Sequence, residues 1–283
     1  MESDELHGKM SRLYEVFPWS EDRDTVSRRV EEGVSKFRCL LGHEWASHLL
    51  SRRRVSIVDA MGGVGVGGIA LALALRSEGV ESSLTVVDVR RNALERAVEY
   101  ARSYLGVEAS VVEASVEELA SHVECPADVI LVYGYSTPHL DPYQLARAAA
   151  NMAYCISDRG LVVVEEHDRI YEILYSVGYK EVLAEEASED KLVVSYHSGY
   201  DAARGMFKRL LVDHYTGEKA IAYVRLWDLA GVAAMLWAFF REIDFHPLGR
   251  HIKGFILARS PRRVDPQEYS EYPKAREAWT AWA

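Results

Sequence analysis

The stretch SIVDAMGGVGVGGIALALAL, Ser56 to Leu75, does most to limit what this chain can become. A short apolar run ends at Asp59, the chain passes Gly62, Gly63, Gly65, Gly67 and Gly68, and a second apolar run follows without a break. That order reads as a buried strand, a turn of bare backbone and a buried helix. Glycine at such a turn admits positive φ and lets the backbone approach a ligand, and the amides that open the helix favour a negative group.

The same alternation continues downstream. Strands are predicted at Val55 to Asp59, Leu84 to Asp88, Ala109 to Val112, Asp128 to Val132 and Leu161 to Glu165, each short, rich in Val and Ile and bounded by polar turns. Helical patterns fall between them at about Gly67 to Ser77, Asn92 to Leu105, Val116 to His122 and Pro142 to Ile156. Strands alternating with helices predict an α/β fold, a doubly wound and mostly parallel Rossmann-like sheet covered on both faces. Ligands of such sheets bind beyond the carboxyl ends of the strands, where strand order reverses. Ahead of the sheet, residues 1–50 read as an N-terminal helical segment, with Ser20 placed to cap the helix that contains RDTVSRRVEEGVSKFRCLLG.

Composition removes some function classes. The formal charge is -10, from 43 acidic and 33 basic residues, so the average field repels nucleic acid. The basic clusters Ser51 to Arg54, Arg90 with Arg91, and Ser260 to Arg263 are short and read as solvated surface. Cys39, Cys125 and Cys155 are odd in number and form no CxxC pair, which predicts free thiols in a reducing, cytoplasmic setting and no zinc site. The longest apolar run, Leu229 to Phe240, is too short to cross a membrane and reads as a buried or interface helix.

Two ligand types suit the glycine turn. Gly63, Gly65 and Gly68 spell GxGxxG, the dinucleotide fingerprint. Against a dinucleotide stands Asp59 at the end of the strand, because an unpaired carboxylate repels a pyrophosphate, whereas a sulfonium amino acid brings an ammonium to offset it. Asp88 ends the next strand, at the right separation to accept hydrogen bonds from ribose hydroxyls.

With these features the chain resembles the class I S-adenosylmethionine-dependent methyltransferases. VDAMGGVGVGGIALA looks like the first motif of that family in its D-x-[FM]-x-G-x-G variant, and LTVVDVRRNALERAVEYARSYLGV like its second. ASVVEASVEEL looks like the third and ADVILVYGYSTP like the fourth, so the resemblance spans Ile57 to Glu166. It implies a seven-stranded sheet that ends in two antiparallel strands, S-adenosyl-L-methionine as methyl donor, and a set of binding residues. Asp59, Met61, Gly63 and Gly65 would surround its amino-acid part, Asp88 and Val89 its ribose, and Ser115 and Val116 its adenine, with Tyr133 lining the donor pocket. Met61 stands where the family has its first glycine, and Ser115 where it usually has Asp.

Methyl transfer is an in-line displacement, so the acceptor must lie beyond the fourth and fifth strands, at Tyr133 to Tyr143 and Glu165 to Arg169. Tyr135 and His139 are the candidate catalytic residues there. The family's base-amino-group signature [DN]PP[YFW] is replaced by Gly-Tyr-Ser-Thr-Pro, which with the acidic charge favours a small-molecule or protein acceptor over nucleic acid. In EEHD, successive side chains alternate faces, so at most two converge on one point and no metal ligand set is assigned. Tyr14, Phe17 and Trp19 are candidates to lid the cofactor or to join the core.

The last third admits two readings of the final strand pair, YKEVLAEEA with KLVVSYHSG, or REIDFHPLG with IKGFILARS. The second is preferred for the terminal-strand pattern of KGFILARS. It gives a core over residues 51–199, an inserted hairpin-helix module over 200–250 that covers substrate or forms a homodimer contact, and a last strand with a peripheral tail over 251–283. Trp279 and Trp282 in that tail would dock on the body or on a neighbour. Two other functions remain at this stage, an NAD-dependent oxidoreductase and a non-catalytic partner-binding protein that retains the fold.

Overall fold

The computed structural model describes residues 10–17, 21–249 and 252–274. Trp19, Ser20, Trp279 and Trp282 lie outside the described residues. The predicted β-branched runs form β1 (Arg54–Ala60), β2 (Glu81–Asp88), β3 (Ser110–Glu113), β4 (Ala127–Val132) and β5 (Ile156–His167). Four further strands, β6 (Val182–Ala187), β7 (Leu192–Asp201), β8 (Met206–Asp213) and β9 (Lys219–Val224), make a separate antiparallel sheet. The chain then returns through β10 (Phe240–Pro247) and β11 (Lys253–Pro261), which complete a seven-stranded sheet of order β10-β11-β5-β4-β1-β2-β3. Its parallel part reverses direction between β1 and β4, so the switch point lies at the end of β1.

Helices are α1 (residues 10–16), α2 (Arg23–Leu41), α3 (Val66–Ser77), α4 (Arg91–Leu105), α5 (Pro142–Cys155) and α6 (Leu229–Phe239). Alternation along β1 sends Ile57 into one core and Val58 into another. On the first face lie α2, α3 and α4, with Phe37 of α2 stacked on Phe255 of β11 at 5.3 Å. On the second lie α5 and α6, through Leu145, Met152, Val232 and Leu236. Asp22, rather than the expected Ser20, caps α2, accepting hydrogen bonds from the amides of Asp24 and Thr25.

Three expectations change. The boundary drawn at residue 199 falls inside β7, because the segments YKEVLAEEA and KLVVSYHSG pair with the following hairpin into one sheet. The helix assigned to the inserted module, α6, instead packs against α5 in the core and leads into β10. Cys125 and Cys155 are joined by a disulfide, not free: β4 and β5 start side by side, with Ala127 opposite Ile156, which brings the preceding cysteines to 4.8 Å between Cα atoms. The cysteine argument for a reducing compartment therefore lapses. No described helix is long and apolar enough to cross a membrane.

In the first turn of α3, a side chain at Gly68 would fit only if Leu84 gave way. A Cβ there would overlap the Leu84 side chain and stand 3.1 Å from Cβ and Oδ2 of Asp59. Gly68→Ala is therefore expected to lower stability by about 1–3 kcal/mol in urea unfolding, although alanine is the better helix former.

Candidate active site

Three backbone units of the β1–α3 turn have positive φ: Met61 at 58°, Gly63 at 55° and Gly65 at 80°. The last two are glycines and adopt it without strain, whereas Met61 is held there at a cost. The turn is tied to both flanking strands. Gly62 donates to the carbonyl of Val87 at 3.0 Å, Gly63 donates to Oδ2 of Asp88 at 2.8 Å, and Gly68 donates to Oδ2 of Asp59 at 2.7 Å.

Above this turn is a cleft of about 320 Å³ with an adjoining lobe of about 70 Å³. Asp59, Met61, Gly63, Tyr133, Tyr135 and His139 line the cleft, and Asp88, Val89, Ser115 and Val116 line the lobe. Met61 and His139 face both spaces. Gly65 faces neither: a side chain there would meet Val86 and Ala97, so its part is to let the turn pack onto β2 and α4. Ser115 spends its hydroxyl on capping the next turn, accepting from the amide of Glu117 at 3.3 Å.

Asp59 is fully buried, and its Oδ1 has no hydrogen-bond partner among the described residues. Burial pushes its pKa up to about 7, against the Gly68 hydrogen bond, which favours the charged form, and with a smaller push from the Asp88 charge. Arg29 of α2 pulls the other way from across the cleft. Asp88 is more fully engaged, because its Oδ1 accepts from the backbone amide of Arg90 at 3.0 Å and from its Nε at 3.2 Å. The Arg90 guanidinium stacks on Tyr14 at 3.7 Å from the ring centroid and pairs with Glu21 at 3.0 Å, joining α1 to Asp88.

The far end of the cleft is built from the ends of β4 and β5. Glu165 and Glu166 point to opposite faces, as adjacent strand residues must. Glu165 accepts from the amide of Gly134 at 2.9 Å and pairs with Lys36 at 2.6 Å, while Glu166 accepts from Thr137 and pairs with Arg169. Tyr135 has φ of 60°, a second non-glycine residue held in the left-handed region at the cleft wall. Burial, with the Glu165 charge next, raises the pKa of both Tyr133 and Tyr135 beyond the usual phenol range. Burial also lowers His139 to about 4, helped by the Arg169 and Arg90 charges, so its imidazole is neutral.

Sequence reading gave Arg29 no role, took Arg90 for solvated surface although it is buried, and held His167 and Arg169 only as part of the acceptor-side stretch; all four line the cleft. The lid candidate Phe17 lines it too, with Leu13, Ala222 and Val224. A signal for Arg29 existed. With Lys36 it flanks the buried stripe Val26, Val30, Gly33, Phe37 at a spacing of two helical turns, where a surface cation is out of place. No group of three or more His, Cys, Asp or Glu among the described residues could hold a metal ion.

No sequence-family model matches the chain, and no curated protein matches it in sequence. In structure it is similar to an S-adenosylmethionine-dependent methyltransferase from Clostridium acetobutylicum, with a TM-score of 0.57 and 11% identity over 89% of this chain and 97% of that one. It is also similar to a sugar N-methyltransferase, KedS8, from a Streptoalloteichus species, with a TM-score of 0.52 and 16% identity over 86% of this chain and 94% of that one. A third, the methyltransferase CcbJ from Streptomyces caelestis, gives a TM-score of 0.54 and 11% identity over 81% of this chain and 95% of that one. These likenesses show the fold, that of the class I S-adenosylmethionine-dependent methyltransferases.

The buried carboxylate makes a prediction that needs no ligand. Folding raises Asp59 from 3.8 to about 7, so between those values the folded chain binds more protons than the unfolded one and this component of stability falls as pH rises. Asp59→Asn keeps an acceptor for Gly68 and removes the titration. Relative to the parent, the variant is expected to gain on the order of 1–3 kcal/mol between pH 4.5 and pH 7.5 in urea unfolding.

Proposed function

We propose that this chain is an S-adenosylmethionine-dependent methyltransferase acting on a small molecule. The observation that carries the reading is Oδ1 of Asp59, buried, unpartnered and on the cleft wall at the switch point of the sheet. A carboxylate in that state calls for a cation, and an α-ammonium supplies one. Arg29, which also lines the cleft, would hold the neighbouring carboxylate of the donor. Asp88 would take the ribose through the lone pair that Oδ2 keeps beside the Gly63 hydrogen bond. The lobe lined by Val89, Ser115 and Val116 would take the adenine, and with Ser115 engaged in capping, the Val116 backbone amide is left to read the ring.

S-adenosylmethionine supplies an electrophilic methyl group on sulfur. What the chain supplies is alignment and exclusion of water. Tyr133, Tyr135 and His139 wall the space beyond the donor, and the neutral imidazole and un-ionised phenols there leave the sulfonium charge as the driving force for attack. A small acceptor is favoured because α1 and β9 roof the cleft with Leu13, Ala222 and Val224, and about 320 Å³ must hold the amino-acid half of the donor as well. The dinucleotide reading fares worse: a pyrophosphate would lie against the Asp59 carboxylate and brings no cation of its own to offset it.

Isothermal titration with S-adenosylmethionine, S-adenosylhomocysteine and NAD tests this. Micromolar binding of the first two and none of the third is expected, and NAD binding alone would overturn the reading. Asp88→Ala should weaken donor binding by about 1–3 kcal/mol. At pH 6.5, titrations in buffers of different ionisation enthalpy should report proton release as the ammonium draws the proton off Asp59, and Asp59→Asn should abolish it.

A further inference from the structure

His167 ends β5, and its surroundings differ from those of every other histidine described. Its Nε2 lies 2.9 Å from a carboxylate oxygen of Glu172, five residues on, and its backbone amide donates to Glu166 at 2.9 Å. The ring stands edge-on to Tyr135, with centroids 5.0 Å apart and planes at 87°. Nδ1 has no hydrogen-bond partner among the described residues and is shut off from bulk solvent. His167 lines the main cleft and not the adenine-side lobe, whereas His139 lines both.

Glu172 can only accept, so a neutral ring must carry its proton on Nε2 and present a bare lone pair at Nδ1. We infer that His167, oriented by Glu172, is the base that takes the proton from the methyl acceptor. The inference rests on the methyltransferase reading. In the step, the acceptor's lone pair bonds to the methyl carbon as the carbon–sulfur bond breaks, the electron pair stays on sulfur to leave a neutral thioether, and the acceptor's proton passes to Nδ1. Glu172 stabilises the imidazolium so formed, which later loses its proton to water.

The groups around the ring keep its lone pair free in the resting state, and among them Glu172 is the one placed to offset the imidazolium. Burial, then the charges of Arg169 and of Lys253 across the β5–β11 pairing, lower the His167 pKa to about 3, so the resting ring is neutral. Glu172 is the counter-charge on the opposite side, and Glu166 is already taken by Arg169 and Thr137. A base of this kind also defines the acceptor class. The accepting atom bears a proton, as a hydroxyl or an amine does, and is not a thioether or a tertiary amine.

Two measurements test it. Long-range ¹H–¹⁵N spectra of the ¹⁵N-histidine-labelled protein with S-adenosylhomocysteine, assigned through His167→Gln, should show His167 protonated on Nε2 alone from pH 8 to pH 5. Glu172→Gln should disturb that tautomer preference. A proton on Nδ1, or a doubly protonated ring at pH 7, overturns the assignment. The second measurement follows transfer of label from methyl-labelled S-adenosylmethionine into a deproteinised small-molecule cell extract. His167→Gln should cut transfer at least 100-fold and Glu172→Gln about tenfold, both with unchanged donor affinity in calorimetry. Full transfer by His167→Gln overturns the base assignment, whereas no transfer by the parent counts against the methyltransferase reading and leaves the spectra to decide the tautomer.

Discussion

A buried carboxylate at the end of the first strand sets the terms for everything around it. Asp59 gives one oxygen to the Gly68 amide and leaves the other without a partner among the described residues. To let that hydrogen bond form, α3 must begin close against β1 and β2, and Gly62, Gly67 and Gly68 are the places where any side chain would collide with Asp59, Tyr133 or Leu84. The glycines therefore answer two demands at once, close packing of helix on sheet and an open floor above the switch point. Neither demand alone explains so many in so short a stretch.

Much of this could be read from the chain because it depends on local pattern. Five Val-rich runs and the helices between them fix the order of the parallel strands, and Asp59 and Asp88 fall at strand ends because the hydrophobic runs stop there. Ser115 was legible as a position but not as a conformation: its capping bond to Glu117 depends on the turn that follows. His167 was seen only as part of an acidic cluster. Its singular state depends on Glu172, Tyr135 and Lys253, which lie on three different elements and meet only through the tertiary fold.

The inserted sheet was the hardest part to read, since two candidate terminal strand pairs occur in one chain and only the look of KGFILARS favoured the pair that the main sheet in fact uses. What separates them is burial. Gly254 to Ala258 of β11 are buried without a break, as the middle of a strand between two neighbours in a covered sheet must be, whereas β6 exposes Val182 and Leu183 at the edge of the second sheet. Periodicity assigns both as strands and cannot say which belongs to which sheet. The Cys125–Cys155 link escaped for a similar reason, because thirty residues of sequence separation conceal two strand starts lying next to each other.

The roof over the cleft has a core of its own, made from Leu13 and Val16 of α1 with Val193, Leu211, Ala220 and Ala222 of the second sheet. These are few and mostly small side chains, and they share no buried residue with the two cores of the main sheet. Polar ties supplement that small core: Arg204, between β7 and β8 of the second sheet, pairs with the buried Asp141 at 2.6 Å, and the amide of Arg225 donates to the carbonyl of Pro138 at 2.9 Å. Leu13 and Ala222 belong to this small core and to the cleft wall at once, so the packing of the cover and the shape of the space beneath it are set by the same side chains.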